Sequence, residues 1–393
     1  SLKVNGDLTV SSGANIWGYD GAALYVGGDL LLSGSISDNA SGKISKLTVA
    51  GETVVDSAAS ISLSTANMTF TGDTEVDGTL QTTSGSITFT EASAATRIIS
   101  SLILNGAASV TNSGTSSVYL GNVTCASDDV IFTGDFTVSE NGTFSASSAT
   151  TYFINSNADF SKCTSFTHNS GTIYFYNQEN DSSKSYIFMT PETETEFFNL
   201  EFTGESYFVL NSNTSVNTFL VKDEENLLTE SFTVYIESDS STGRSLSITG
   251  SGNALEIFRG NGTSISGDKT GTFKIGENVS VTISDSVYMH SGTVLKNEGI
   301  CTFTNLSVVT ASGISNPKLS NSGTVIGITK IDVTEIENSD TGSILTNSGS
   351  ISATSITSSG IIETSSGSIT AETVKVTSES SNSTTKGILL NAG

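Results

Sequence analysis

One arrangement of apolar and polar positions recurs along this chain. A glycine is followed by any residue, an apolar residue, any residue, and a second apolar or small residue. It reads Gly6-Asp-Leu8-Thr-Val10, Gly28-Asp-Leu30-Leu-Leu32, Gly85-Ser-Ile87-Thr-Phe89, Gly134-Asp-Phe136-Thr-Val138, Gly142-Thr-Phe144-Ser-Ala146 and Gly171-Thr-Ile173-Tyr-Phe175. It returns as Gly271-Thr-Phe273-Lys-Ile275, Gly299-Ile-Cys301-Thr-Phe303, Gly349-Ser-Ile351-Ser-Ala353 and Gly367-Ser-Ile369-Thr-Ala371. Alternation with a period of two is the strand period and sends successive side chains to opposite faces. Glycine tolerates positive φ and so turns the chain. Each unit therefore predicts a turn followed by a short strand with one face in a core. No 3.6-residue period persists over a dozen residues, so helices are not expected.

The spacing of the units predicts how the strands are arranged. Gly6 to Gly28 is 22 residues, Gly299 to Gly323 is 24, Gly323 to Gly349 is 26, and Gly349 to Gly367 is 18. The last pair aligns residue for residue: Ile351, Ala353 and Ile356 map onto Ile369, Ala371 and Val374. Gly-Asp dipeptides at Gly6-Asp7, Gly28-Asp29, Gly72-Asp73 and Gly134-Asp135 are 22, 44 and 62 residues apart, near multiples of ~21. Such recurrence predicts stacked coils. The expected fold is all-β: a single right-handed parallel β-helix (β-solenoid), a continuous rod of roughly 18 coils of about 18–26 residues each.

Three regions are expected. Residues 1–150 read as regular coils, with Trp17 and Tyr19 placed to cover an open end. Residues 151–240 are aromatic-rich and read as wider or interrupted coils, including the polar stretch Asn177 to Ser185. Residues 241–393 return to regular coils.

Composition narrows the classes. Hydrophobic residues are 36% of 393, charged residues 14%, and only Pro191 and Pro317 interrupt backbone donors. That suits a thin elongated core better than a spherical one, without the charge or proline density of a disordered chain. The net charge of −24 repels nucleic acid and anionic membranes. The opening Ser1-Leu2-Lys3 lacks Met, as in a processed or truncated product. No apolar run approaches the ~20 residues of a membrane helix. Cys125, Cys163 and Cys301 lack CxxC spacing and read as buried small residues; a Cys125–Cys163 bridge is the alternative.

Candidate chemistry is sparse. Asp128-Asp129 reads as a solvated turn, and the pectin-hydrolase alternative lacks a Gly-His-Gly partner: His168 is followed by Asn169, and His290 by Ser291. Arg97, Arg244 and Arg259 do not lie beside acidic pairs in sequence, as a β-helical lyase would need. No catalytic or cofactor-binding residue is assigned. Glu192, Glu194 and Glu196 alternate and would share one strand face, making them the cation-binding candidates, against a plain solvated face. The 151–208 aromatics read as core filling, with a sugar-stacking surface as the alternative. Sequons at Asn67, Asn122, Asn213 and Asn305 are the chance yield of an Asn-, Ser- and Thr-rich chain.

The units Val4-Asn-Gly-Asp-Leu-Thr-Val10, Phe132-Thr-Gly-Asp-Phe-Thr-Val138 and Asn347-Ser-Gly-Ser-Ile-Ser-Ala353 resemble the β-solenoid passenger domains of bacterial surface proteins. Autotransporter passengers and filamentous-haemagglutinin-like adhesins are similar in style. The resemblance implies a right-handed parallel β-helix, export, and a role in adhesion or assembly. The expected protein is thus a non-enzymatic, secreted structural or adhesive protein of a bacterial surface. Its partners would be its own solenoid ends or a host or cell-surface ligand. The alternatives are a carbohydrate-binding or carbohydrate-degrading β-helix, and an ice- or surface-binding solenoid. Against ice stands the uneven sequence spacing of Thr82, Thr88, Thr90 and similar residues.

Overall fold

The computed structural model describes all residues but 20, 91–94, 115, 178–184, 189–194, 223–230, 240, 242, 252, 258–269, 309–315, 347, 378–386 and 391–393. The described residues form strands and turns without a helix, and the fold is a parallel β-solenoid. The chain divides into two units, Ser1–Tyr176 and Asn177–Gly393.

The first unit winds through three strands per turn. Its first turn supplies Leu2–Val4, Leu8–Val10 and Asn15–Trp17. The next lays Ala22–Val26, Leu30–Leu32 and Ser35–Ser37 against them, all parallel. Repetition makes three ladders, here the first, second and third faces. Longer strands such as Thr74–Thr82 turn a corner and serve two faces, with a register shift between Val76 and Thr79. The inward column of the first face is Leu24, Leu47, Met68, Ile87, Val110, Phe132, Phe153 and Phe175, every member buried. Its steps of 19 to 23 residues match the coil expected from the glycines. Rings pile up where phenylalanines meet: Phe132 stacks on Phe153 at 5.3 Å and Phe153 on Phe175 at 5.4 Å, an offset geometry that adds to area burial.

The second unit is also a stack of parallel strands, with more variable coils. One inward column runs Phe208, Ile236, Ile275, Asn297, Asn321, Asn338, Ser358 and Val376, in steps of 17 to 39 residues. The expected range of 18–26 is therefore too narrow. With paired positions up to 39 residues apart, the described chain completes fewer turns than the roughly 18 of a uniform ~21-residue coil. The pairing of Ile351 with Ile369, Ala353 with Ala371 and Ile356 with Val374 is the one read from sequence. The 26-residue step from Gly323 to Gly349 is not a coil: Thr324 pairs with Ser343, and the glycine stacked on Gly323 is Gly342.

The glycines do a different job from the one expected. Of those opening the recurrent units, only Gly134 has positive φ, at 89°. Gly6 has open space around it, whereas Gly28, Gly85, Gly142, Gly171, Gly299, Gly349 and Gly367 are required by proximity. A Cβ on Gly28 would lie 2.8 Å from the Gly6 carbonyl carbon, and one on Gly367 would lie 2.7 Å from the Gly349 carbonyl carbon. Trp17 and Tyr19, expected to cover an open end, are 61% and 78% exposed, and Trp17 points outward because the inward position of its strand is taken by Ile16, paired with Ile36.

Candidate functional surface

In a parallel stack each outward position becomes a column along the axis, one residue per coil. On the first face of the first unit, threonine fills five successive places: Thr48, Thr69, Thr88, Thr111 and Thr133. Tyr25 precedes them, and Ile154 and Tyr176 follow. The neighbouring outward column reads Lys46, Asn67, Ser86, Ser109, Ile131, Tyr152 and Tyr174. Side chains bond from coil to coil: Ser86 Oγ donates to Asn67 Oδ1 at 2.9 Å within the second column, and just beyond the strands Thr90 Oγ1 donates to Thr71 Oγ1 at 3.0 Å. The tyrosines gather at one end, with ring centroids of Tyr152 and Tyr174 5.5 Å apart and those of Tyr174 and Tyr176 6.1 Å apart.

The third face of the same unit is also polar. One column runs Asn15, Ser35, Ser60, Thr79, Ser101, Asn122, Thr143 and Ser165. The second face is more apolar, carrying Leu31, Val54, Glu75, Ile98 and Tyr119 outward.

The aromatic stretch divides by residue type. Phe153, Phe160, Phe175, Phe197, Phe202 and Phe208 are buried, whereas Tyr152, Tyr174, Tyr176 and Tyr207 stand half-buried at outward positions and Phe198 is exposed. Core filling holds for most of the phenylalanines and not for these tyrosines, whose hydroxyl favours a wet end.

In the second unit, Tyr207 and Tyr235 stack at 4.3 Å, and Lys274 lies over the Tyr235 ring. Tyr235 donates to Glu205 Oε1 at 3.1 Å. Burial, then the Glu205 charge, pushes the Tyr235 phenol up to about 12. One step along, Lys274 and Lys296 hold Glu298 at 3.0 and 3.1 Å. Burial opposes ionisation of Glu298, but the two lysines outweigh it and keep the carboxyl below its usual range.

The other residues singled out from sequence are dispersed. Glu196 is exposed on strand Thr195–Thr203; Glu192 and Glu194, like Arg259, lie outside the described residues. No cluster of three or more potential metal ligands occurs among the described residues. Asp129 accepts from the Thr150 amide, and Asp128 is an exposed turn residue. His168 Nδ1 accepts from the Ser170 amide within its turn. His290 Nε2 meets Glu256 Oε1 at 2.6 Å. Arg97 is interior, donating to the Thr90 carbonyl at 2.6 Å, and Arg244 pairs with Asp239. Cys125, Cys163 and Cys301 are buried and free, so Cys125 and Cys163 are not bridged.

Two arrangements escaped the sequence reading. The four Gly-Asp carboxylates at Asp7, Asp29, Asp73 and Asp135 each accept from an amide one coil on: Asp29 N, Glu52 N, Thr96 N and Asn157 N, at 2.7–2.9 Å. In the second unit, Asn297 Nδ2 donates to Asn321 Oδ1 and Asn321 Nδ2 to Asn338 Oδ1, both at 2.8 Å. The signal was Asn-x-Gly, repeated at Asn297-Glu-Gly299 and Asn321-Ser-Gly323.

Comparison with family models, curated proteins and solved structures returns no match. No described helix is long and apolar enough to cross a membrane.

Proposed function

We propose that this chain is a non-enzymatic, secreted scaffold of a bacterial surface, acting in adhesion or assembly. The observation that carries this reading is the organisation of its outer face: like residues repeat in register over many coils, giving extended display surfaces. The acidic, Lys- and Arg-poor composition fits an extracellular role. End-to-end association is part of the proposal. A stack of parallel strands leaves unpaired backbone groups at its ends, which a coil of a second copy can satisfy. Electron microscopy with light scattering tests this. Concentration-dependent filaments or surface adhesion are expected. A strictly monomeric, non-adherent protein, or one that cleaves polysaccharide, overturns the reading.

A second reading, an ice-binding solenoid, gains support from the five-threonine column. The uneven spacing that counted against it reflects unequal coil lengths, not broken register. Thermal hysteresis measured on the purified protein separates the two, since an adhesive scaffold gives none.

A further inference from the structure

The first face of the first unit is uncharged over six consecutive strands: Asn67–Phe70, Ser86–Phe89, Ala108–Asn112, Val130–Thr133, Thr150–Ile154 and Thr172–Tyr176. The third face is uncharged too, from Asn15–Trp17 to Ser165–Thr167, in a chain of net charge −24, but the outward tyrosine group belongs to the first face. The face is also graded. Asn67, Ser86, Ser109 and Thr69, Thr88, Thr111 present amides and hydroxyls at one end. Ile131, Ile154, Tyr152, Tyr174 and Tyr176 present apolar and aromatic surface at the other.

We infer that this face binds a neutral polysaccharide chain laid along the solenoid axis. A pyranose ring offers a C–H face and a rim of hydroxyls. The C–H face packs on tyrosine rings, and the rim exchanges hydrogen bonds with threonine, serine and asparagine. Parallel coils repeat at ~4.8 Å, so six strands span about 24 Å, room for several sugars in line. Charge selects the ligand class. A face without cations cannot compensate the desolvation of anionic glycans, nucleic acid or lipid headgroups, and the surrounding negative field repels them. A neutral chain pays neither cost. The inference rests on the adhesive reading and names the ligand of one of its surfaces.

The test is binding of the full chain to neutral linear oligosaccharides (cellohexaose, xylohexaose, maltohexaose and chitohexaose) by calorimetry, with oligogalacturonate as the anionic control. At least one neutral probe should bind and the anionic one should not. Tyr152→Ala and Tyr174→Ala should each weaken binding at least tenfold, while Tyr152→Phe, which keeps the ring, retains most of it. Thr88→Val should cost a few-fold. Tyr119→Ala, on the second face, should change nothing. Failure of all four neutral probes, preference for oligogalacturonate, or indifference to the tyrosine substitutions overturns the inference. Should Tyr152→Ala unfold the chain by circular dichroism, protection of Tyr152 from iodination by bound probe decides instead, and an unprotected ring overturns it. Failure of every neutral probe in a protein that still adheres or forms filaments would sink this inference and leave the scaffold reading standing; absence of both adhesion and filaments in the unaltered protein would sink the scaffold reading itself.

Discussion

At the scale of single residues, neighbouring coils are pinned by side chains that read as turn formers. The Asp29 carboxylate accepts the Glu52 amide at 2.8 Å, while the Gly28 backbone leaves no room for a Cβ on Gly51. Asp29→Ala should therefore destabilise the first unit by about 1 kcal/mol, with Asp29→Asn closer to neutral, read as urea midpoints. The turn was legible in the Gly-Asp dipeptide. The carboxylate's partner was not, because it lies 23 residues away and depends on coil length. The thiols give a second prediction. Burial pushes Cys125 and Cys301 up to about 12 and raises Cys163 as well. A thiol reagent such as DTNB at neutral pH should label all three only on unfolding, since the thiolate is the reacting form.

At the scale of strands, alternation was legible and stacking was not. Which residues face inward follows from a local period of two. Which residue sits above which requires the length of every intervening coil. Thr48, Thr69, Thr88, Thr111 and Thr133 are 21, 19, 23 and 22 residues apart, so no fixed period exposes their column. The asparagine ladder shows how strongly such columns can be coupled. Asn321 both accepts from Asn297 and donates to Asn338 in a buried site. Asn321→Ala would strip a partner from each neighbour and should cost the second unit about 2 kcal/mol or more in denaturant titration. The Lys274–Glu298–Lys296 group adds a pH dependence. A carboxyl held below its unfolded-chain value stabilises fully above that value, and the gain is lost as pH falls through the lowered one. Glu298→Gln should therefore reduce stability at neutral pH and flatten its loss below about pH 4.

At the scale of the molecule, each coil contacts chiefly the coils before and after it, so the layers are close to interchangeable. Ile351 and Ile369 occupy the same column one layer apart. Excising residues 351–368 should remove one layer and join Ser350 to Ile369 with inward and outward positions preserved. Circular dichroism should stay β-rich, with a modest fall in stability. Removing one residue more should invert the alternation that follows and abolish cooperative unfolding of the second unit. Its gene can thus gain or lose whole layers by duplication and deletion without a new fold being invented, and the width of the displayed surface becomes a quantity that evolution adjusts by counting.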